Sequence, residues 1–154
     1  IRTIHFVTHS MGAILLRYYL SRRTISGLGR VVMLSPPNQG SEVVDRLRHL
    51  WLFQRLNGPA GSQLGTGPDS LPCRLPPLNA ETGIITGDRS VNPLLSRLIP
   101  GRNDGKVSVT RSKISGMTDF LVVHHAHPFI MNAPVVSEQT LFFLKQGRFD
   151  KKTA

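Results

Sequence analysis

One cysteine, Cys73, stands among 154 residues, so an internal disulfide and any CxxC zinc or redox motif are excluded. No apolar run reaches the roughly 18–20 residues that a membrane-spanning helix needs. Acidic residues are scarce: nine, against nineteen basic ones, for a net charge of +10 and a pI near 11.1. Such a charge favours anionic partners, whether phospholipid surfaces, nucleic acid or acidic substrates. Zinc-finger spacing, RNP-type aromatic motifs and basic-zipper heptads are all missing. The basic residues, mostly Arg, are scattered, which reads as a solvated surface, and no nucleic-acid partner is expected. The glycines between Gly58 and Gly67 lack the Lys-Ser/Thr of a phosphate loop, and no dinucleotide fingerprint is present, so no cofactor is expected. No signal peptide is visible, and the chain opens on Ile1 only a few residues before its most informative turn. The expectation is a chain that starts inside a larger protein.

What is present is enough for one domain with a core. Hydrophobic residues make up 40% and charged residues 18%, a globular composition rather than a disordered one. Residues 4–7 form a short, largely apolar run that suits a buried strand. Residues 11–22 follow with helical spacing, carried by Ile14, Leu15, Tyr18 and Tyr19. A second strand is expected at 30–34, then the rigid loop "SPPNQGS" at 35–41. Residues 42–56 read as one amphipathic, basic helix with Val43, Val44, Leu47, Leu50 and Trp51 on one face. A Gly/Pro-rich loop is expected at 57–77, of a length common in lids and binding loops. Strands are expected at 83–86 and 119–123, a short helix at 92–98, and a closing helix at 135–149 through Val135, Val136, Leu141, Phe142, Leu144 and Phe149. Residues 150–154 read as a frayed polar tail. Alternating strands and helices imply an α/β fold, a mostly parallel sheet with helices on both faces.

The stretch Thr8-His9-Ser10-Met11-Gly12 lies between a strand and a helix. A serine hydroxyl is a weak nucleophile that needs a base in contact and donors for the oxyanion. A strand–GxSxG–helix elbow supplies that geometry, with small residues flanking the serine so that strand and helix approach closely. Thr8 replaces the first glycine; Gly12 keeps the second. The alternative is that Ser10 merely caps the helix. Partners in the order of this elbow type follow downstream: an acid after a late strand, then a histidine after the last strand. Asp104, in an Asn-Asp-Gly turn, fills the first place, with Asp88 in "TGDRS" as its rival. His124, His125 and His127 compete for the second. His127 lies furthest into the loop, where an imidazole can turn toward the elbow, and His125 is the alternative.

These segments carry a resemblance. "VTHSMGA" resembles the elbow of α/β-hydrolases of the bacterial lipase/esterase type. "SPPNQGS" resembles their Pro-containing loop after the next strand, "NDGKVSV" the segment of their catalytic aspartate, and "HPFIM" their histidine loop. The matches run from Ile4 to about Met131. The resemblance implies the C-terminal portion, residues 1–149, of a single α/β-hydrolase domain that cleaves carboxylic esters through Ser10, Asp104 and His127. It favours His127 among the histidines, since a short apolar run follows it, and implies that the backbone N–H of Met11 is one oxyanion donor. The second donor belongs to a loop before the elbow, so the chain alone is expected to turn over poorly and to leave an open sheet edge.

The substrate implied is an ester or lipid. Residues 46–56, with Trp51 and Phe53, read either as a core helix with a solvated basic face or as a lid or interfacial element, the latter bringing an anionic membrane surface into play. Thioesterases and acyltransferases use the same triad. An inactive hydrolase-like domain, or a basic membrane- or anion-binding module, is the alternative outside catalysis. Metal binding is not expected: HExxH is missing, and neighbouring His124 and His125 point to opposite faces of a strand.

Overall fold

The computed structural model describes residues 3–152, apart from the side chains at 52–54, 56 and 57. Its centre is a four-stranded, all-parallel sheet in the order β1 (Ile4–His9), β2 (Leu28–Leu34), β3 (Thr82–Gly87), β4 (Asp119–Val123). Each strand returns to the sheet by a crossover, as parallel pairing requires. Helix α1 (Met11–Leu20) and helix α6 (Pro134–Gln146) take opposite faces. On one face, Ala13 and Leu16 of α1 cover Val31, Met33 and Ile84. On the other, Val136 and Phe143 of α6, with Phe149, cover Val32, Leu34, Ile85 and Leu121. The register alternates the faces: Thr8 pairs with Met33, which pairs with Ile84, while Leu34 pairs with Ile85 and that with Leu121.

The sequence expectation for α1 needs correction. Ile14 is buried, but Leu15, Tyr18 and Tyr19 are 54%, 41% and 51% exposed. The buried face is Ala13, Ile14, Leu16 and the charged Arg17. Among the described residues the sheet ends at β1, so no layer covers the outer flank of α1. Arg17 is buried because its guanidinium finds carbonyls, donating to Asn38 O at 3.0 Å and Leu75 O at 2.7 Å. Burial lowers its pKa to about 10.

The helix expected at 42–56 is two: α2 (Glu42–Leu47) and α3 (Trp51–Ser62), separated by a turn in which Leu50 N–H donates to Leu47 O. Its apolar stripe is not continuous in burial. Val43 and Val44 are packed, whereas Leu50 and Trp51 are 54% and 72% exposed. The expected loop at 57–77 holds the end of α3, kinked where Gly58 takes φ 64°, and α4 (Leu71–Arg74). Pro59 opens the piece after the kink, where its missing N–H has no helical partner to lose. The side chain of Phe53 lies outside the described residues.

Helix α5 (Pro93–Arg97) is capped by Asn92, whose side chain accepts from the N–H groups of Leu94 and Leu95. The closing helix ends earlier than expected, at Gln146, on Gly147 with φ 72°. Phe143 replaces Leu141 as its core residue: Phe143 is fully buried and Leu141 is 58% exposed. The start of the tail is held, because Asp150 exchanges hydrogen bonds of 2.7 and 2.9 Å with the side chain of Gln139. Residues 153–154 lie outside the described part.

Candidate active site

The carboxyl ends of the parallel strands carry the site, as in open α/β sheets generally. Strand β1 delivers Ser10. Its N–H donates to Leu34 O at 2.9 Å, tying the turn to β2. Its backbone sits at φ 53°, ψ −124°, a sparsely populated conformation for a residue with a Cβ. The sequence left open whether Ser10 is a helix cap. Its side chain makes no capping bond to α1. Instead Oγ lies 2.9 Å from Nε2 of His127. Thr8 is tolerated in place of the first elbow glycine because it faces Gly12, where even an added Cβ would stand 3.7 Å from the threonine Cβ.

Asp104 is 1% exposed. Its Oδ1 accepts from the N–H groups of Lys106 (2.9 Å) and Val107 (2.8 Å), which fixes the carboxylate within its own turn. That leaves Oδ2 for Nδ1 of His127, at 2.8 Å. The turn is braced by Asn103, whose Oδ1 accepts from Ser96 Oγ and Gly105 N–H. Gly105, at φ 93°, makes the turn that other residues would strain.

His127 is 5% exposed, and its N–H donates to Asp104 O at 3.0 Å. The chain therefore runs Asp104 carboxylate, His127 imidazole, Ser10 hydroxyl, every link at hydrogen-bond distance and the members 117 and 23 residues apart. A carboxylate only accepts, so Nδ1 carries the hydrogen and Nε2 is left with its lone pair toward Ser10 Oγ. Gly87, at the end of β3, permits this approach: a Cβ there would fall 2.1 Å from His125 O and 3.1 Å from the Cβ of Asp104. Nothing but the glycine's place at a strand end marked it in the sequence.

The rivals lie elsewhere. Asp88 accepts from Nδ1 of His124 at 2.8 Å and pairs with Arg102. Burial opposes its charge, but these partners outweigh burial and hold its carboxyl below the usual value. It fastens together the segments that lead to Asp104 and His127. His125 turns its Nδ1 into the interior and has no bond to Ser10. Among the described residues, no group of three His, Cys, Asp or Glu side chains is placed to hold a metal. Met11 is the first residue of α1, so its N–H has no acceptor within the helix, and the helix dipole adds positive potential beside Ser10.

Two cavities flank the serine–histidine contact. One, of about 260 Å³, is lined by Ser10, Met11, Pro37, Val44, Leu64 and Lys106 among others. The second, of about 460 Å³, opens beside Asp104 and His127 and is walled by Val43, Leu47, Val91, Leu95 and Pro128. Adjacent valines of α2 thus face the two cavities, and Lys106 borders both.

No protein-family model matches the chain, and no curated protein matches it in sequence. Among solved structures, the mature form of the lipase BlEst2 of Bacillus licheniformis superposes with a TM-score of 0.67 at 17% identity, over 95% of this chain and 66% of that one. Its propeptide form gives 0.66 at 18% identity, over 82% of this chain and 32% of that one. The chain thus spans less than two thirds of the length of either neighbour. At such identity the likeness speaks to architecture: the chain has a partial α/β-hydrolase fold, a parallel sheet with helices on both faces, of the kind found in this lipase.

Proposed function

We propose that the protein is a serine hydrolase that cleaves carboxylic esters, with Ser10 as nucleophile, His127 as base and Asp104 as the orienting acid. The single observation that carries this reading is the Ser10–His127–Asp104 hydrogen-bond chain of 2.9 and 2.8 Å, built on a strained serine that caps nothing. Ser10 Oγ attacks the ester carbonyl while His127 Nε2 takes its proton. The oxyanion is met by the N–H of Met11 at the start of α1. Asp104 keeps the imidazole in the tautomer that can accept and stabilises the imidazolium that forms. His127 then gives the proton to the leaving alcohol, and water, deprotonated by the same base, hydrolyses the acyl-enzyme.

The flanking walls support a substrate class. An ester carbonyl at Ser10 sends its two arms toward two cavities rich in aliphatic side chains, which suits a lipid-like ester with an apolar acyl chain. The net charge of +10, with exposed Leu50 and Trp51 beside exposed Arg46 and Arg55, fits presentation of that substrate on an anionic lipid surface.

The test is Ser10→Ala, assayed on chromogenic esters of increasing acyl length and with a fluorophosphonate probe whose adduct is located by mass spectrometry. Turnover and the Ser10 adduct are both expected to vanish while the melting temperature stays. Wild-type turnover in the variant would end this reading. Salt-sensitive binding to anionic vesicles, with no adduct in the wild type, would favour a binding module instead.

A further inference from the structure

The residue before the nucleophile makes a contact the triad itself does not require. Nε2 of His9 lies 3.1 Å from the main-chain oxygen of His127, 118 residues away. A carbonyl only accepts, so Nε2 of His9 carries the hydrogen and donates it. The two imidazoles also meet ring to ring, with centroids 5.0 Å apart and planes at 47°. The contacts close a circuit. His9 is joined through the chain to Ser10, Ser10 Oγ meets His127 Nε2 at 2.9 Å, and the carbonyl of His127 returns to His9. On its other side, the N–H of His127 is held by Asp104 O at 3.0 Å. The base is thus gripped at its N–H by the segment of the acid and at its C=O by the strand of the nucleophile.

We propose that His9 is a positioning residue for the base, a neutral donor that holds the His127 main chain at the distance from which its imidazole reaches Ser10. This inference rests on the catalytic reading of Ser10, His127 and Asp104 above. Neutrality is part of the role. When His127 takes the serine proton it becomes a cation in ring contact with His9, and a second cation there would oppose the transfer. The charged or titratable groups that act on His9 are His127, Asp104 and Lys106. Half-burial and the adjacent His127 hold its imidazole below the ordinary histidine value. The carbonyl bond and Asp104 pull the other way without prevailing, and Lys106 adds to the lowering. A histidine held below its ordinary value is mostly uncharged near neutral pH.

The experiment measures the rate of fluorophosphonate labelling at Ser10 in the full chain, separating the saturating rate from the probe concentration at half-saturation. His9→Met removes the donor at similar size; His9→Gln keeps an N–H donor of similar reach. His9→Met is expected to lower the saturating rate about tenfold or more with half-saturation unchanged, and His9→Gln to stay within about threefold of wild type. The His9→Gln comparison stands even where His9→Met does not fold, because rescue by a retained donor is not expected of lost packing. Labelling that is lost in His127→Ala but unchanged in a folded His9→Met, or slowed more than about tenfold in a folded His9→Gln, would overturn the role of His9 alone. No labelling of the wild type would overturn the triad and this inference with it.

Discussion

Replacing Asp104 by Asn probes the site with little change of shape. The carboxylate accepts three hydrogen bonds of 2.8–2.9 Å: from the N–H groups of Lys106 and Val107 on Oδ1, and from Nδ1–H of His127 on Oδ2. An asparagine keeps one acceptor and gains one donor group. Turned with its oxygen toward His127, it would set its NH2 against two backbone N–H groups that cannot change. Turned the other way, it opposes only Nδ1, and an imidazole can move its proton. The second orientation wins, Nδ1 becomes the acceptor, and Nε2 now carries the hydrogen that points at Ser10 Oγ. The base can no longer take the serine proton. The expected loss is about 10⁴-fold in rate, equivalent to about 5 kcal/mol on the barrier. Stability should fall by only about 1–2 kcal/mol, since both backbone bonds survive. The assay is fluorophosphonate labelling at Ser10, with thermal unfolding alongside. A variant that labels within tenfold of wild type would refute the tautomer argument and the place of Asp104 in the chemistry.

Two further outcomes are expected. Gly87→Ala puts a Cβ 2.1 Å from His125 O, so the loop of His127 must move away from Asp104; labelling should fall about 100-fold, with a loss of about 1–3 kcal/mol in stability, read by denaturant unfolding. Asp88→Asn removes the partner of Arg102 and His124, and because both are exposed the cost near neutral pH is about 1 kcal/mol or less. The folded carboxyl of Asp88 lies below its unfolded value near 3.9, so its contribution is present above that pH and lost as pH falls through the folded value. Melting curves of wild type and Asp88→Asn should therefore converge on acidification below about pH 4 and stay apart above it.

Much of the frame was legible because its signals are local. The runs at Ile4, Arg30, Gly83 and Asp119 became β1 to β4, and the helix after Ser10 follows from spacing alone. Burial was less legible, since it depends on what lies opposite. Leu15, Tyr18 and Tyr19 have helical spacing but face a flank that no described element covers, while Arg17, among them in sequence, is buried through carbonyls contributed by residues 38 and 75. The stripe from Val43 to Trp51 likewise predicted one helix where the chain turns at 48–50, because only its first turn meets the core. Phe143 was passed over for Leu141 because an apolar pattern alone does not settle which neighbour on a closing helix meets the sheet.

The site divides in the same way. Ser10 and Asp104 stand in short stretches whose turn chemistry is written in adjacent residues, so each was nameable before any fold was known. The choice among His124, His125 and His127 is of another kind, because it depends on direction. His125 turns inward, His124 is taken by Asp88, and only His127 lies past the bend that the close approach at Gly87 allows. The atom that His9 meets is unreadable for a similar reason: its contact is with a main-chain oxygen, and a main-chain oxygen has no letter in the sequence. The features hardest to read from sequence are thus those in which a side chain recognises backbone. Arg17 with the carbonyls of Asn38 and Leu75, and His9 with that of His127, are such cases; at Gly87 it is the lack of a side chain that admits the backbone of His125, and this contact and that of His9 bear directly on where the imidazole meets Ser10. A substitution at any of these positions leaves the Ser-His-Asp letters intact, so an intact motif in a variant does not guarantee an assembled site.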